Sequence, residues 1–520
     1  MAEKQRFQAI KGTRDLLPPE TALWNHVERT ANEIFSTFGF GEIRLPIFEP
    51  TELFARSIGA DTDVVSKEMY TFVENPGVSS LEELRHIAVQ MYALHIKDGF
   101  PDFFLALIRS LIHLVQSKSQ VRELEIGSQL QSDLERMQLI LNEYEKLSSS
   151  EELHEKEKKS KLLSDLAIKI QLLRFSDRVS LRPEATASVC RAYIQHGMHS
   201  LPQPVKLYYT GPMFRRERPQ KGRYRQFYQI GAEVLGGTDA PAIDAEVIEM
   251  VMTFFAKLGL EGAKLDINSI GCRECRPAYV ELLRAELVKV KDQLQPDSQR
   301  RIETNPLRVL DSKLESEQPV IEKLPRIAEH LCSACAAHYA SVKHNLVLRN
   351  VAYHENWRLV RGLDYYMRTT FEITAPGLGS QNAVCGGGRY DGLIEILGGL
   401  PTKGIGFAIG EDRLILSLQE AGKAPAPRRL DVYVAWMGEK TYDTAVRAAR
   451  ALRGAGFAVE LPASAQKFGK ALGHADKLGA RYALILGDDE VASGQWTLKT
   501  LSDGSQSKFT EPDLLAHLKL

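Results

Sequence analysis

Alternating apolar and polar positions predict a β-hairpin between Lys206 and Gly236. Two alternating runs flank a short loop that contains Pro219 and Gly222, the pattern of two antiparallel strands. In the second strand, Tyr228, Ile230, Ala232 and Val234 share one apolar face, whereas the other presents Phe227, Gln229, Gly231 and Glu233. A strand with one buried face and one polar, glycine-interrupted face suits the floor of a small-molecule site.

Hydrophobic spacing also predicts the elements around this hairpin. A helix is expected from Thr21 to Phe38, followed by a strand that contains Pro46, and a proline inside a strand indicates an edge or a bulge. The spacing in Leu105–Leu114 and Leu134–Leu147 predicts three to five helices within residues 75–175. Beyond a Pro/Ala-rich linker, strands and helices alternate, which predicts a small α/β domain with a mostly parallel sheet.

The hairpin loop is strongly basic. Residues 215–225 contain six basic side chains and one acidic side chain, in a chain that has 66 basic and 67 acidic residues in total. A solvated hairpin tip would explain an arbitrary basic loop. Beside a polar strand face, however, guanidinium groups favour phosphate recognition, which predicts an ATP-using site with nucleic acid as a further candidate ligand.

Composition and cysteine content narrow the class of protein. The 520 residues, 44% of them hydrophobic, are enough for a large core and several domains. The N-terminal residues lack an apolar signal region, and the most apolar run, Phe103–Val115, is interrupted by Arg109 and His113. We therefore expect a soluble, cytoplasmic protein without a membrane segment. Six cysteines in such a protein predict thiols or metal ligands rather than disulfides.

Four of these cysteines form two C-x-x-C pairs, Cys272 with Cys275 and Cys332 with Cys335. Four thiolates in two such pairs are sufficient for a tetrahedral structural zinc site. The separation between the pairs is longer than in compact zinc ribbons, so four buried thiols are the alternative. Cys190 and Cys385 are expected in the core.

Several motifs carry a resemblance to the histidyl-tRNA synthetases, a family of class II aminoacyl-tRNA synthetases. The hairpin residues GPMFRRERPQKGRYRQFYQIGAEVLG (211–236) resemble motif 2 of that class. RGLDYY (361–366) is typical of this family, and GIGFAIGEDRLIL (404–416) resembles motif 3. GFGEIRLPIFEPTELFARSIG (39–59) resembles motif 1, and NPLRVLDSK (305–313) resembles part of the family's insertion domain.

The resemblance implies an α+β fold, in which helices flank the antiparallel sheet of a class II synthetase. It also implies a C-terminal α/β anticodon-binding domain, while the helical insertion has no counterpart in the resemblance and no assigned role. The expected boundaries are 1–74 (catalytic, motif 1), 75–175 (helical insertion), 176–264 (catalytic, motif 2), 265–353 (family insertion domain), 354–420 (catalytic, RGLDYY and motif 3) and 430–520 (anticodon-binding).

The activity implied is that of a histidine–tRNA ligase. Such an enzyme uses ATP and Mg²⁺ to convert L-histidine to histidyl-adenylate and pyrophosphate, and then transfers histidine to the 3′ end of tRNA(His). A homodimer built on motif 1 is expected. The alternative is a catalytically silent, histidine-binding paralogue of the type found as the regulatory subunit of ATP phosphoribosyltransferase. Such paralogues typically lack the C-terminal domain and have altered RGLDYY and motif 3 sequences. This chain keeps all three features.

The resemblance also assigns roles to individual residues. Arg215 and Arg361 are expected to be catalytic, and Arg215, Glu217, Arg223, Phe227 and Arg413 to bind ATP. The histidine-binding residues are expected to be Glu184, Ala185, Thr186, Gln229, Glu233, Tyr365, Tyr366 and Tyr390, with Ala185 standing where the family usually has glycine. Arg218 and Gln220 are expected to contact the tRNA acceptor end, and Gln466, Lys467 and Lys470 are candidate contacts to RNA in the C-terminal domain.

Overall fold

The computed structural model describes residues 7–59, 62, 64–73, 85–90, 101–120, 128–147, 153–172, 178–363, 365–378, 382–424, 430–438 and 440–519. The chain divides into two compact units, Met1–Leu16 with Trp24–Lys423 and Leu17–Leu23 with Ala424–Leu520. The finer boundaries expected from the sequence stay predictions. No helix among the described residues has the length and apolar character needed to cross a membrane.

An eight-stranded sheet forms the centre of the first unit. The strands of this unit are β1 (Gly41–Glu42), β2 (Phe48–Pro50), β3 (Thr71–Val73), β4 (Arg178–Leu181), β5 (Val205–Phe214), β6 (Gln226–Leu235), β7 (Lys264–Ser269), β8 (His354–Glu355), β9 (Met367–Thr374), β10 (Ala383–Arg389) and β11 (Gly404–Gly410). The large sheet has the order β1-β5-β6-β11-β10-β9-β7-β8. Its two edge pairings are parallel, and the pairings between them are antiparallel. The predicted α+β fold with an antiparallel sheet is confirmed.

The first unit also contains helices. In chain order they are α1 (Glu20–Thr37), α2 (Thr51–Ile58), α3 (Pro101–Gln120), α4 (Ser128–Lys146), α5 (Leu153–Leu172), α6 (Thr186–Gln195), α7 (Pro241–Lys257), α8 (Cys275–Lys289), α9 (Pro296–Thr304), α10 (Gln318–Ile321), α11 (Ser333–Leu348), α12 (Leu393–Ile396) and α13 (Glu411–Glu420). Short 3₁₀ turns lie at Met198–Ser200, Lys291–Gln293, Pro306–Val309, Glu315–Glu317 and Ile327–His330, and a π-helical turn lies at Val64–Glu68.

The hairpin is paired along its whole length. The pairing of β5 with β6 runs from Val205 opposite Leu235 to Phe214 opposite Gln226. One face of these strands packs under α1 and α7, where the Phe35 ring contacts Tyr208, Phe254 and Phe407 at centroid distances of 5.5 to 5.9 Å. The predicted apolar face of β6 is therefore buried against helices, which leaves the opposite face to form a site.

The prediction of a continuous strand through Pro46 is wrong. Residues 43–47 have no strand geometry and separate β1 from β2, which belongs to a second, three-stranded sheet of order β2-β4-β3. Proline has no N–H to donate to a ladder. The carbonyl oxygens of Leu45 and Pro46 instead accept hydrogen bonds from the Arg182 guanidinium at 3.0 and 3.1 Å.

The segment 75–175 is helical where it is described. Residues 85–90 are helical, as are α3, α4 and α5. Helix α3 contains Leu105–Leu114, and α4 contains the second predicted stretch except Leu147, which follows its last residue. Ile108, Leu111, Met137 and Leu141 are among the residues of its own hydrophobic core. Part of the charged run 150–161 lies outside the described residues.

The segment 265–353 builds another hydrophobic core. Tyr279, Leu283 and Leu287 on α8 are fully buried and pack with apolar residues that extend to residue 327. Val360 and Tyr366, which belong to the block around RGLDYY, are part of the same core. This shared core joins the segment physically to one wall of the site described below.

The second unit is a small α/β structure. Its strands are β12 (Val432–Trp436), β13 (Val459–Glu460), β14 (Tyr482–Leu486), β15 (Trp496–Thr500) and β16 (Gln506–Phe509), and its helices are α14 (Tyr442–Gly454), α15 (Phe468–Lys477), α16 (Asp488–Ser493) and α17 (Glu511–Lys519). The order is β13-β12-β14-β15-β16, with parallel pairing at the first two contacts and antiparallel pairing at the last two. The sheet is therefore mixed rather than mostly parallel, because β15 and β16 form a terminal hairpin.

Candidate active site

A cavity of about 560 Å³ lies on the free face of the eight-stranded sheet. Its lining includes predicted site residues from four separate parts of the chain: Glu184, Thr186, Arg215, Glu217, Arg223, Phe227, Gln229, Arg361, Tyr365, Tyr366 and Arg413. These positions span more than 200 residues of sequence. The antiparallel sheet brings them together because β6, β11, β10 and β9 are adjacent in it.

Glu233 lies fully buried beside this cavity. Its carboxylate accepts hydrogen bonds from Thr186 Oγ1 at 2.7 Å and from the Tyr390 hydroxyl at 2.5 Å. Burial raises the pKa of Glu233 to about 8, the two hydrogen bonds oppose the rise, and the nearby Glu184 carboxylate adds to it. This buried acid therefore holds a proton more readily than an exposed glutamate does.

Two glycines make room for the Glu233 side chain and for its neighbours. A Cβ at Gly406, which lies opposite Glu233 in the β6–β11 pairing, would overlap the Glu233 carboxylate. A Cβ at Gly231 would overlap the Tyr209 hydroxyl and approach the Phe407 carbonyl oxygen. The glycine-interrupted face predicted from the sequence is thus a packing requirement of this site.

Glu184 is buried at the start of α6. Its two carboxylate oxygens accept the backbone N–H groups of Thr186 at 2.7 Å and of Ala187 at 3.0 Å. The side chain therefore satisfies donors that the first helical turn would otherwise leave unpaired. Burial raises the pKa of Glu184, and these N–H donors together with the Arg215 charge oppose the rise. Ala185 has a φ of −113°, so a residue with a side chain is accommodated where the family usually has glycine.

Three tyrosines form the wall next to Glu233. The ring centroids of Tyr365 and Tyr366 are 4.6 Å apart, and those of Tyr365 and Tyr390 are 5.7 Å apart. Burial raises the pKa of Tyr366 to about 12, and the Arg361 charge opposes that rise. Gln229 completes this side, and its buried Oε1 has no hydrogen-bond partner among the described residues. A buried, unsatisfied acceptor facing a cavity is a natural contact for a ligand N–H group.

Arg215 and Phe227 face the cavity from the hairpin. The Arg215 Nε donates to the Pro183 carbonyl at 3.0 Å, and its guanidinium carbon lies 5.3 Å from the centroid of the Phe227 ring. This bond holds the guanidinium beside the aromatic ring, and both side chains line the cavity.

Arg361 approaches the cavity from a different segment. Its Nη1 donates to Glu372 at 2.8 Å, and its Nε has no hydrogen-bond partner among the residues that the structure describes. A Cβ at Gly386 would overlap the Arg361 guanidinium, so this glycine keeps open the space that the arginine occupies. Asp364 of the same motif lies outside the described residues.

Arg413 and the hairpin loop form another part of the lining. Arg413 Nη1 donates to the Ala383 carbonyl at 2.8 Å, and its Nε donates to the Gly222 carbonyl at 3.4 Å. Glu217 and Arg223 form an ion pair at 3.3 Å. The two residues expected to contact tRNA, Arg218 and Gln220, belong to the same loop but are not part of the cavity lining.

The sequence interpretation missed several residues that line this cavity. Arg308, Asp311 and Lys313 reach it from the 305–313 stretch, where Arg308 Nη2 donates to the Gly362 carbonyl at 3.2 Å. Glu372, the partner of Arg361, was also missed. The only available signal was the resemblance of NPLRVLDSK to the family's insertion domain, which gave no role to individual side chains.

The four predicted metal ligands lie together outside the cavity. The sulfur atoms of Cys272, Cys275, Cys332 and Cys335 are all within 4.8 Å of one another. The Cys272 sulfur lies 3.7 Å from that of Cys275 and 3.9 Å from that of Cys332. Tetrahedral zinc with bonds of about 2.3 Å places its sulfur ligands about 3.8 Å apart, so the arrangement fits that metal. Cys190 and Cys385 are buried, as expected.

Comparisons with known proteins agree with this arrangement. A family model described as "Histidyl-tRNA synthetase" matches residues 146–414, and one described as "Anticodon binding domain" matches residues 431–519. The chain is 43% identical to the histidine–tRNA ligase of Solibacter usitatus over 513 residues, which cover 98% of this chain and 99% of that protein. It is also 43% identical to the histidine–tRNA ligase of Koribacter versatilis over 517 residues, which cover 99% and 96%. Both alignments extend across the segment 75–175.

Among solved structures, the chain is similar to apo S. aureus histidyl-tRNA synthetase. The TM-score is 0.67 at 29% sequence identity, and the match covers 99% of this chain and 100% of that one. The histidyl-tRNA synthetase of Nostoc sp. PCC 7120, with a TM-score of 0.60 at 18% identity, shows the same fold.

Proposed function

The chain belongs to the histidyl-tRNA synthetase family and ligates histidine to tRNA, and on that premise we propose a role for each residue of the site. The full-length similarity to histidine–tRNA ligases and the match to an anticodon-binding domain favour this activity over that of the histidine-binding regulatory paralogue. The reaction uses ATP, and Mg²⁺ accompanies ATP in class II synthetases generally.

The first chemical step is attack of the histidine carboxylate on the α-phosphorus of ATP. This step brings two anions together and adds charge to the phosphoryl oxygens, so fixed positive charge and positioning should provide most of the catalysis. We assign both catalytic roles to arginine: Arg215 holds the α-phosphate and the carboxylate, and Arg361 reaches the α-phosphate from another wall. The observation that carries this assignment is that both guanidinium groups, supplied by distant segments, line one cavity.

The adenine-binding part of the site is assigned to Phe227 and Arg413. A purine ring between an aromatic ring and a guanidinium gains stacking and cation–π attraction. The two side chains line the same cavity, and two backbone carbonyls orient Arg413. Glu217 and Arg223 are assigned to the outer phosphates, where carboxylates also offer the oxygen ligands that Mg²⁺ prefers.

Histidine selection is assigned to Glu233 and the tyrosines. With a pKa of about 8, Glu233 can exchange between accepting and donating a hydrogen bond near neutral pH, which suits an imidazole partner. Tyr365, Tyr366 and Tyr390 would enclose the ring. Glu184, Thr186 and Gln229, with Ala185 at the helix start, would bind the α-amino group, and a site of this kind rejects apolar analogues because its own groups would be left unpaired.

A structural zinc ion at the four cysteines is part of this proposal. The sulfur separations support it, as does the donation of the Cys272 and Glu274 N–H groups to cluster sulfurs at 3.3 and 3.4 Å, which stabilises thiolate character. The ion would hold two distant segments together and take no part in the chemistry. Metal analysis of the purified protein tests the idea: about one zinc per chain is expected, and its absence from protein purified without chelator would refute it.

The remaining assignments concern partners. The basic loop supports tRNA acceptor contacts by Arg218 and Gln220, and Gln466, Lys467 and Lys470 would contact the anticodon region. The exposed apolar side chains of Ile47, Phe48 and Phe72 on and beside the three-stranded sheet support a homodimer at motif 1. A cytoplasmic location is also proposed, and the tRNA substrate supports it.

Pyrophosphate exchange into ATP, driven by each amino acid in turn without tRNA, tests the site assignment. Exchange with histidine alone is expected from the wild-type chain. A Glu233→Ala variant should lose several kcal/mol in kcat/KM, on the order of a buried charge-assisted hydrogen bond. Near-normal exchange by that variant would mean that another group selects the imidazole.

A further inference from the structure

The loop that carries Cys272 and Cys275 is bonded to the backbone that carries Tyr366. Arg276 follows Cys275 in the first turn of α8, and its Nη1 donates to the Tyr366 carbonyl oxygen at 2.7 Å. Two residues further along, the Arg368 N–H donates to the Gly271 carbonyl at 2.8 Å. The segment at Tyr366 is therefore held from both sides of the first cysteine pair.

The position of Arg276 depends on the cysteine loop. Helix α8 begins at Cys275, and the Arg276 N–H donates to the Cys272 carbonyl at 3.0 Å. Gly271 has a φ of +70°, and a Cβ there would lie 2.9 Å from the Cys275 sulfur. Fixing the sulfurs therefore fixes the start of α8 and, with it, the origin of the Arg276 side chain.

The segment that contains Tyr366 and Arg368 is under backbone strain. Arg368 has a φ of +50°, a left-handed conformation that a residue other than glycine rarely adopts and that its surroundings must hold. Its carbonyl accepts the Ile270 N–H at 2.9 Å, and its guanidinium forms an ion pair with Asp239 at 2.6 Å. Loss of the contacts from the cysteine loop would let this segment relax.

Tyr366 connects that segment to the cavity. It is 6% exposed, belongs to the same hydrophobic core as Ile270 and Tyr279, and lines the cavity beside Tyr365. A shift of its backbone would move both rings, because they lie in contact with each other.

We propose that Arg276 is a positioning residue that couples the four-cysteine centre to the histidine pocket through the Tyr366 carbonyl. The proposal rests on the histidine-binding role assigned above to Tyr365 and Tyr366. Occupancy of the cysteines by zinc then strengthens histidine binding although the metal never touches the substrate, in the way that a structural network links two sites.

The test compares zinc-loaded wild-type, Arg276→Ala and Arg276→Lys proteins. Direct titration with L-histidine, and the KM values for histidine and ATP in pyrophosphate exchange, are measured alongside zinc content. Arg276→Ala should keep its zinc, bind histidine about tenfold more weakly and change the KM for ATP less than threefold. Arg276→Lys, which retains a donor, should recover most of the histidine affinity. Lys289→Ala, at the exposed far end of the same helix, is the control and should match wild type.

Removal of zinc by chelation completes the experiment. Zinc-depleted wild-type protein should show the same selective loss of histidine affinity, and depletion of Arg276→Ala should add little, because both changes act through one link. Unchanged histidine affinity in zinc-loaded Arg276→Ala, or equal losses for histidine and ATP, would overturn the coupling. A different result would show that Tyr366 does not bind histidine at all. In that case Tyr366→Ala would leave histidine binding intact.

Discussion

Gly406 lies directly opposite Glu233 across the β6–β11 pairing, and the Glu233 carboxylate occupies the space that a side chain at Gly406 would fill. The same carboxylate is held by Thr186 from α6 and by Tyr390 from beyond β10. The absence of a side chain at Gly406 therefore leaves the space in which Glu233, Thr186 and Tyr390, from three chain segments, pack together.

Replacing Gly406 with alanine should damage the histidine pocket selectively. The methyl group must displace the carboxylate or the strand, a form of overpacking that costs about 1–3 kcal/mol. We expect kcat/KM for histidine in pyrophosphate exchange to fall by roughly 10- to 100-fold. Gly41→Ala is the control, because no atom lies within 4 Å of a Cβ built there, on a strand of the same sheet. Equal effects from the two substitutions would argue against a specific clash.

The raised pKa of Glu233 predicts a pH dependence of stability. The folded state binds this proton more tightly than the unfolded chain, whose glutamate pKa is near 4.5. The contribution is therefore fully present below about pH 4.5 and is lost as the pH rises through about 8. Between pH 6 and pH 8 the wild-type chain should lose about 2–3 kcal/mol relative to Glu233→Gln, which does not titrate. Thermal unfolding midpoints of both proteins across this range test the prediction, which parallel profiles would contradict.

Arg361 should act in the chemical step more than in binding. Removal of a positioned charge that faces the reacting phosphate typically lowers kcat by about 10²- to 10³-fold. We expect a loss of this size for Arg361→Ala, and a smaller loss for Arg361→Lys, which keeps the charge without the planar fork that bonds Glu372. Single-turnover adenylate formation is the measurement, and Arg300→Ala, an exposed arginine on α9, is the control. A change confined to KM would assign Arg361 to ground-state binding.

Arg308 and Lys313 should contribute to ATP binding. Both line the cavity from the 305–313 stretch, and their charges would face the phosphates. For each change to alanine we expect the KM for ATP to rise about 3- to 10-fold, on the order of 1 kcal/mol, because the groups are partly exposed and screened. Lys323→Ala, an exposed change in the same segment, should have no effect. If the loss appeared only in transfer to tRNA, these residues would belong to the tRNA site.

The zinc proposed at the four cysteines should stabilise the first unit. Cys335 is 1% exposed, and replacing it with serine removes one of four ligands. Metal binding contributes directly to folding free energy, so we expect Cys335→Ser to lose zinc and to unfold about 5–10 °C lower than wild type. Thermal unfolding with and without a chelator provides the measurement. The chelator should lower the wild-type midpoint and leave that of the variant unchanged.

The parts of the site that could be predicted are those with a local signal. The hairpin, the polar face of β6 and the basic loop follow from alternation and charge within about thirty residues. The helix expected at 21–38 is observed at Glu20–Thr37 for the same reason. The error at Pro46 has a local origin as well, because a proline in an apolar run fits a break between two strands as well as a bulge within one strand.

The alternation of strands and helices in the second unit did not predict that its last two strands pair in the antiparallel direction. The short strand Gln506–Phe509 pairs with Trp496–Thr500, although most of its side chains are exposed. Such a strand carries little hydrophobic pattern, so only its backbone pairing reveals it.

By itself, the sequence determined which residue types were available and which short stretches would become strands, helices and a basic loop. The tertiary structure alone decided that Arg308 faces the same cavity as Arg215, that two cysteine pairs sixty residues apart share one centre, and that Arg276 bonds the Tyr366 backbone. Periodicity reports only on neighbours along the chain, whereas these contacts depend on strand order and on the packing of the shared core around Tyr366.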